Sequence, residues 1–230
     1  MAQIKVSDLT FAYPGSYDNI FEHTSFQFDS DWKLGFIGRN GRGKTTFLKL
    51  LMGEYPFQGR IDAPMDFDYF PFAVPHPGHL AGEVCAKIDP DVPSWRLARE
   101  MAALSLGEEL LWRPFDTLSK GEQTKLQLCL LFARENRFLL IDEPTNHLDI
   151  RGRELVSRYL NTKKGFLLVS HDRAFLDGCV DHILSINRAT IEVQRGNFSS
   201  WWENRQRQDA YELAENERLK NEEVPGYDGK

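Results

Sequence analysis

Apolar and polar residues alternate in short runs over the first third of the chain: Ile4-Lys5-Val6, Phe26-Gln27-Phe28 and Lys33-Leu34-Gly35-Phe36-Ile37. Alternation of period two sends every second side chain to one face, so these runs predict half-buried strands, with Pro14-Gly15 and Asp29-Ser30-Asp31 as turns between them. After Lys44 the spacing changes. Phe47, Leu48, Leu51 and Met52 recur at helical intervals and stop at Gly53, so a strand, a glycine-rich loop and a helix follow one another directly. A further strand is expected at Asp66-Phe67-Asp68-Tyr69-Phe70.

From about 75 to 117 the sequence is interrupted by proline and helical in character, with Leu97, Met101, Leu104 and Leu110 on recurring faces, which predicts a small helical subdomain. Phe138-Leu139-Leu140-Ile141 and Phe166-Leu167-Leu168-Val169 are continuous apolar runs between helical segments. Strands covered on both faces of a parallel sheet have this composition, so the core is expected to be α/β. No internal repeat is visible. Beyond about Trp202 the residues are mostly Glu, Arg, Gln, Asn and Lys, which reads as a long polar helix ending before Pro225-Gly226, a linker cut short.

Composition narrows the function classes. With 230 residues, 41% of them hydrophobic, the chain can build one substantial core. Its net charge of −6 gives no bulk attraction to nucleic acid or anionic membrane, so such a partner must be met through a local patch, and no DNA partner is implied. The first residues lack the apolar run of a secretory signal, and the longest apolar stretch, near Leu126 to Ala133, is too short to span a bilayer. A soluble, cytoplasmic chain without membrane insertion is expected. Cys85, Cys129 and Cys179 lie far apart without metal-ligand spacing, which suits a reducing compartment.

The chemistry concentrates in three places. Gly38-Arg39-Asn40-Gly41-Arg42-Gly43-Lys44-Thr45 fits the spacing GxxxxGK[ST]. Glycines there let consecutive N–H groups point at phosphate oxygens, Lys44 adds a charge for the outer phosphates, and the Thr45 hydroxyl can ligate Mg²⁺. The strand Phe138–Ile141 delivers Asp142 and Glu143 at its carboxyl end, where ligands of open α/β sheets sit. Asp142 suits the Mg²⁺ shell, and Glu143 suits a general base orienting water toward a γ-phosphate. Ser119 and Glu122 have capping-box spacing before an apolar helix through Leu126, Leu130 and Ala133. Each feature alone has a structural reading as well: a glycine-rich turn, an acidic pair ending a strand, a well-made helix start.

Taken in order, the glycine loop, Leu118-Ser119-Lys120-Gly121-Glu122-Gln123, the Asp142-Glu143 strand and Ser170-His171-Asp172 resemble the ABC ATPase family over nearly the whole chain. The resemblance implies a P-loop nucleotide-binding domain over about 1–200, with an amino-terminal antiparallel β subdomain and a helical subdomain near 75–135 that includes the signature helix. Residues 201–230 would begin an interdomain linker helix. It implies ATP and Mg²⁺ as cofactors, held by Gly38, Asn40, Gly41, Gly43, Lys44, Thr45 and Thr46. Tyr13 would stack on adenine and His171 would sense the γ-phosphate. Ser119, Gly121 and Glu122 would serve a nucleotide held by an opposing cassette, with Asp149 at the dimer seam.

Glu143-Pro144-Thr145-Asn146-His147-Leu148-Asp149 looks like the ABC-F branch, whose soluble two-cassette members act at the ribosome. Trp32–Gly35, Gly38–Gly43, Leu111–Phe115 and Ala210–Glu217 look similar to the first cassette of members that protect ribosomes from lincosamides, streptogramins A and pleuromutilins. Two positions depart from the family pattern. Phe72 stands where the usual segment carries a glutamine, which implies slow hydrolysis, and Lys120 replaces the commoner glycine of the signature. Two other readings stay open: the ATPase subunit of a membrane transporter, and a nucleotide-binding module with negligible turnover. Either way a second cassette is the expected partner.

Overall fold

Ile4 and Val6 are buried while Lys5 between them is exposed, and this alternation sets the face that strand β1 (Gln3–Phe11) turns inward, with Leu9 buried after a register shift. The computed structural model describes residues 2–38, 43–187 and 190–222. β1 pairs on one side with β2 (Phe21–Asp29). After β3 (Lys33–Ile37) and helix α1 (Lys44–Leu51) the chain returns as β4 (Gln58–Asp62) on its other side, completing an antiparallel sheet of order β2-β1-β4.

The second sheet carries the site. It is built from β3, β5 (Asp66–Phe70), β6 (Arg137–Asp142), β7 (Phe166–Val169), β8 (His182–Asn187) and β9 (Thr190–Arg195), in the order β5-β6-β7-β3-β8-β9. Neighbours from β5 through β8 run parallel, and β9 returns antiparallel to β8. The carboxyl ends of β3, β6 and β7 therefore share one edge of the sheet. The helices are α2 (Ala81–Ile88), α3 (Ser94–Ala103), α4 (Lys120–Ala133), α5 (Ile150–Asn161), α6 (Arg173–Cys179) and α7 (Phe198–Glu222).

The continuous apolar runs have a simple cause. Phe138 and Leu140 face the core between the two sheets, beside Phe28, Phe36 and Phe47. Leu139 and Ile141 face the opposite core, against the helices. β7 divides in the same way, with Leu167 and Val169 on the first side and Phe166 and Leu168 on the second. A strand covered on both faces has no polar position to alternate with.

Charged side chains tie the helical segment to α5 and to the sheet. Glu100 on α3 is 1% exposed, pairs with Lys163, and accepts hydrogen bonds from the Tyr159 hydroxyl at 2.7 Å and from Arg99 Nη2 at 2.9 Å. Arg134, at the end of α4, reaches Asp68 on β5 at 2.9 Å and Asp89 after α2 at 2.6 Å.

The predicted α/β fold is the observed one, and the strands expected at 4–6, 26–28, 33–37, 66–70, 138–141 and 166–169 all lie within observed strands. β4, β8 and β9 were not read from the sequence. β4 is mostly exposed and gives no alternating signal, whereas β8 is buried along most of its length. The polar helix begins at Phe198, before Trp202, because Phe198 is buried and packs on the domain. Its expected end before Pro225 lies outside the described residues. Among the described residues no helix is long and apolar enough to cross a membrane.

Glu100 supplies a stability test. Burial opposes its charge, but Lys163, Tyr159 and Arg99 hold the carboxyl below its ordinary value. Its contribution is then fully present above the ordinary glutamate range and is lost as pH falls through the lowered folded value. Glu100→Gln should cost about 1–3 kcal/mol at neutral pH. In thermal melts of both chains the difference should shrink on acidification; a difference that stays constant or grows would contradict this.

Candidate functional site

The site begins where β3 leaves the sheet. Residues Arg39, Asn40, Gly41 and Arg42 lie outside the described residues, so Asn40 and Gly41 are not placed. Gly43 precedes α1 with φ +95°, and a Cβ there would stand 2.4 Å from the Ile20 side chain, so only glycine fits. Lys44 opens α1, and its Nζ donates to the Gly38 carbonyl at 2.8 Å, drawing the two ends of the loop together. Burial lowers the Lys44 ammonium below its ordinary value, against the pull of Glu143 and Asp142.

β6 brings the acids. Asp142 lies opposite Val169 of β7, and its Oδ2 accepts hydrogen bonds from Thr45 Oγ1 at 3.0 Å and from the Tyr69 hydroxyl at 2.8 Å. Glu143 follows with φ +50°, a left-handed conformation unusual for a side chain of its size, while its N–H still donates to the Val169 carbonyl at 2.9 Å. That single turned residue gives two adjacent carboxylates different directions. Glu143 Oε1 is buried, accepts no hydrogen bond, and lies 3.3 Å from His171 Nε2. Burial pushes the Glu143 carboxyl above its ordinary value; His171 opposes the rise and Asp142 adds to it.

These groups converge. Gly43, Lys44, Thr45, Thr46, Asp142, Glu143 and His171 line one cavity of about 270 Å³. A larger space of about 700 Å³ adjoins it between Gly38, Lys44, His171 and the first turns of α7. Tyr13 is 38% exposed, shares a hydrogen bond with Thr46 Oγ1 at 2.9 Å, and meets Phe11 and Tyr55 edge-on.

The signature segment stands apart from that cavity. Ser119 and Glu122 form a complete capping box on α4, with Glu122 N donating to Ser119 Oγ at 3.2 Å and Ser119 N to Glu122 Oε2 at 2.7 Å. A Cβ at Gly121 would come within 3.4 Å of the His147 carbonyl, so the start of α4 abuts the Asn146–Asp149 segment. Asp149 caps α5 by accepting from Gly152 N at 2.7 Å. Phe72 packs partly buried against the helical core, and its N–H donates to Gln127 Oε1 at 3.3 Å.

The sequence reading missed two features. Tyr69 reaches Asp142 across 73 residues, a pairing without local spacing. Arg173, two residues past His171, sits over the rings of Phe198 and Trp202 at 5.5 and 4.9 Å and so ties the His171 loop to α7. The aromatic cluster after Asn197 was the available signal for the second.

The oxygen set formed by Thr45 and Asp142 fits a hard divalent cation such as Mg²⁺, since both offer oxygen donors and Asp142 carries the charge. The glycine at the amino terminus of α1, beside Lys44, fits phosphate.

The sequence matches the ABC transporter family over residues 21–146, more than half of the chain. ABC transporter F family member 3 of Arabidopsis thaliana is 29% identical over 86% of this chain and 28% of its own length. ATP-binding cassette sub-family F member 3 of Homo sapiens is 31% identical over 75% of this chain and 25% of its own length. The chain thus spans under a third of these curated relatives. Among solved structures, a bacterial Atm1-family ABC exporter with ATP bound superposes with a TM-score of 0.72 at 16% identity, covering 88% of this chain and 40% of the other.

The raised carboxyl of Glu143 has a consequence for stability. A buried acid with a raised folded value weakens the fold as pH rises through that value. Glu143→Gln removes the charge, so it should melt slightly higher than the natural chain at neutral pH. The gain should disappear below the ordinary carboxylate range, where both side chains are neutral. Scanning fluorimetry across pH checks it; equal or lower melting of the variant at neutral pH would refute the burial argument.

Proposed function

This chain belongs to the ABC transporter family, and from that premise we propose that it binds and hydrolyses ATP at the cavity between α1 and the ends of β6 and β7. The observation that carries the proposal is the convergence of Lys44, Thr45, Asp142, Glu143 and His171 on one space. Lys44 and the amino terminus of α1 receive the outer phosphates, and Thr45 and Asp142 hold Mg²⁺. When bound, Mg²⁺ neutralises charge on the phosphates. Glu143 orients the attacking water and accepts its proton, a task suited to a buried carboxylate with a raised value. His171, beside Glu143, faces the γ-phosphate. Tyr13 offers its partly exposed ring to the base, above Thr46.

Ser119, Gly121 and Glu122 do not line this cavity. In the proposed arrangement they present the start of α4 to the nucleotide of a second cassette, with Asp149 at the seam. The site here then waits for a signature supplied from outside, and groups supplied in trans are worth roughly 10³–10⁵ in phosphoryl transfer. Together with Phe72, which faces the helical core, this makes hydrolysis by the chain alone slow.

We place the chain in the ABC-F branch, acting in the cytoplasm on the ribosome as one cassette of a longer or dimeric protein, in protection from ribosome-directed antibiotics. The Asn146–Asp149 segment and the F-family names of the relatives support the branch. A transporter ATPase is the second reading, favoured by the family match, which is described as ABC transporter. Three buried thiols, all raised by burial and two of them, Cys85 and Cys179, to about 12, suit a reducing compartment in either case.

Lys44→Ala tests the site itself. It removes a cation placed for the outer phosphates and should weaken ATP binding at least about tenfold, read by calorimetry; unchanged affinity would mean the phosphates lie elsewhere. Glu143→Gln tests the pathway in the two-cassette protein. The closed ATP state should accumulate on ribosomes, and co-purification with a membrane permease instead would favour the transporter reading.

A further inference from the structure

Asp142 Oδ2 is the meeting point of two hydroxyl groups on different elements. Thr45 donates to it at 3.0 Å from the first turn of α1, and Tyr69 donates at 2.8 Å from β5, the edge strand of the large sheet. Two donors on one oxygen fix the rotation of the carboxylate about its Cβ–Cγ bond. The Thr45 hydroxyl can give its proton to Asp142 and a lone pair to a cation at the same time. Tyr69 donates from β5 without lining the cavity that Thr45 and Asp142 share, so its bond to Asp142 needs another explanation.

The Tyr69 ring is already held in place. It packs against the core between the sheets, and its backbone lies opposite Leu140 in the β5–β6 pairing. Little rotational freedom remains to be lost, so the hydroxyl reaches Asp142 at small entropic cost. Tyr69 also stands three residues before Phe72, whose side chain packs against the helical core. Phe72 therefore contributes no polar group to the cavity, and the β5 segment reaches the acids through Tyr69.

We propose that Tyr69 is a positioning residue for the divalent cation of the nucleotide complex, orienting the Asp142 carboxylate through its hydroxyl. This rests on the reading of Asp142 as a cation ligand. Partners that orient metal-binding carboxylates change metal affinity about 10- to 100-fold when removed. The alternative is that the bond merely pins an edge strand to its neighbour, in which case its loss would affect folding and not cation dependence.

The test is Tyr69→Phe, which keeps the ring and removes the hydroxyl. Binding of a fluorescent ATP analogue to the whole chain would be titrated with Mg²⁺ and compared with binding in EDTA. The proposal expects the Mg²⁺ midpoint to rise about tenfold while affinity in EDTA stays the same. An unchanged midpoint would overturn it, and so would an equal loss with and without Mg²⁺. Asp142→Asn separates the two layers. If it leaves the Mg²⁺ midpoint unchanged, the reading of Asp142 fails; if it raises the midpoint while Tyr69→Phe does not, only the role of Tyr69 fails. Should Tyr69→Phe not fold, fluorotyrosine in the natural chain gives a second reading. Its fluorine resonance at position 69 should move when Mg²⁺ joins bound ATP; a resonance that moves with ATP alone and not with Mg²⁺ would overturn the proposal.

Discussion

The carboxylate of Asp142 is the point on which the site depends. It ends a strand buried on both faces, and its Oδ2 receives hydroxyls from α1 and from β5. Three elements distant in sequence are thereby held within hydrogen-bond reach of one charged atom. The apolar packing behind it makes that arrangement rigid: Phe138 and Leu140 lie against one core, Leu139 and Ile141 against the other. A strand so constrained cannot slip by one residue without exchanging its entire set of contacts. The positions of Asp142 and Glu143 are set by hydrophobic burial before any nucleotide arrives.

The turn at Glu143 uses that rigidity. Its left-handed backbone costs on the order of 1–3 kcal/mol, and it persists because the Glu143 N–H still completes a bond to Val169. The result is a buried carboxylate oxygen beside His171. Elsewhere the charges are matched more fully. Glu100 has Lys163, Tyr159 and Arg99, and Arg134 has Asp68 and Asp89, so the helical segment is anchored by ion pairs. Of the two buried side-chain oxygens without a hydrogen bond among the described residues, Asp68 Oδ2 has the Arg134 guanidinium at 2.9 Å and Glu143 Oε1 lies where chemistry is proposed.

Much of this was legible in the sequence because it is local. The strand-loop-helix succession around Lys44, the continuous run ending at Asp142, and the capping box at Ser119 each declare themselves within ten residues or so; the strand and helix flanking the loop, the run and the capping box appear in the structure, and loop residues 39–42 lie outside the described residues. The α/β class followed from the runs at Phe138 and Phe166. What was not legible is long-range or exposed. No spacing pairs Tyr69 with Asp142, and β4, solvated along most of its length, carries no alternating signature. The packing of Arg173 on Phe198 and Trp202 depends on where α7 crosses the domain, a tertiary fact. Asn40 and Gly41 remain readings of the motif, outside the described residues.

The central proposal is that this chain holds one half of a paired ATP site, with its phosphate-binding residues at the cavity lined by Lys44 and its signature serving a second cassette. The most direct measurement is the dependence of ATP binding and of hydrolysis on the concentration of the chain itself. The account predicts ATP affinity that does not change on dilution, and turnover per chain that falls as dilution removes the second copy supplying the start of α4. Turnover per chain that is constant across a wide dilution series would show a site complete in one copy and would contradict the account.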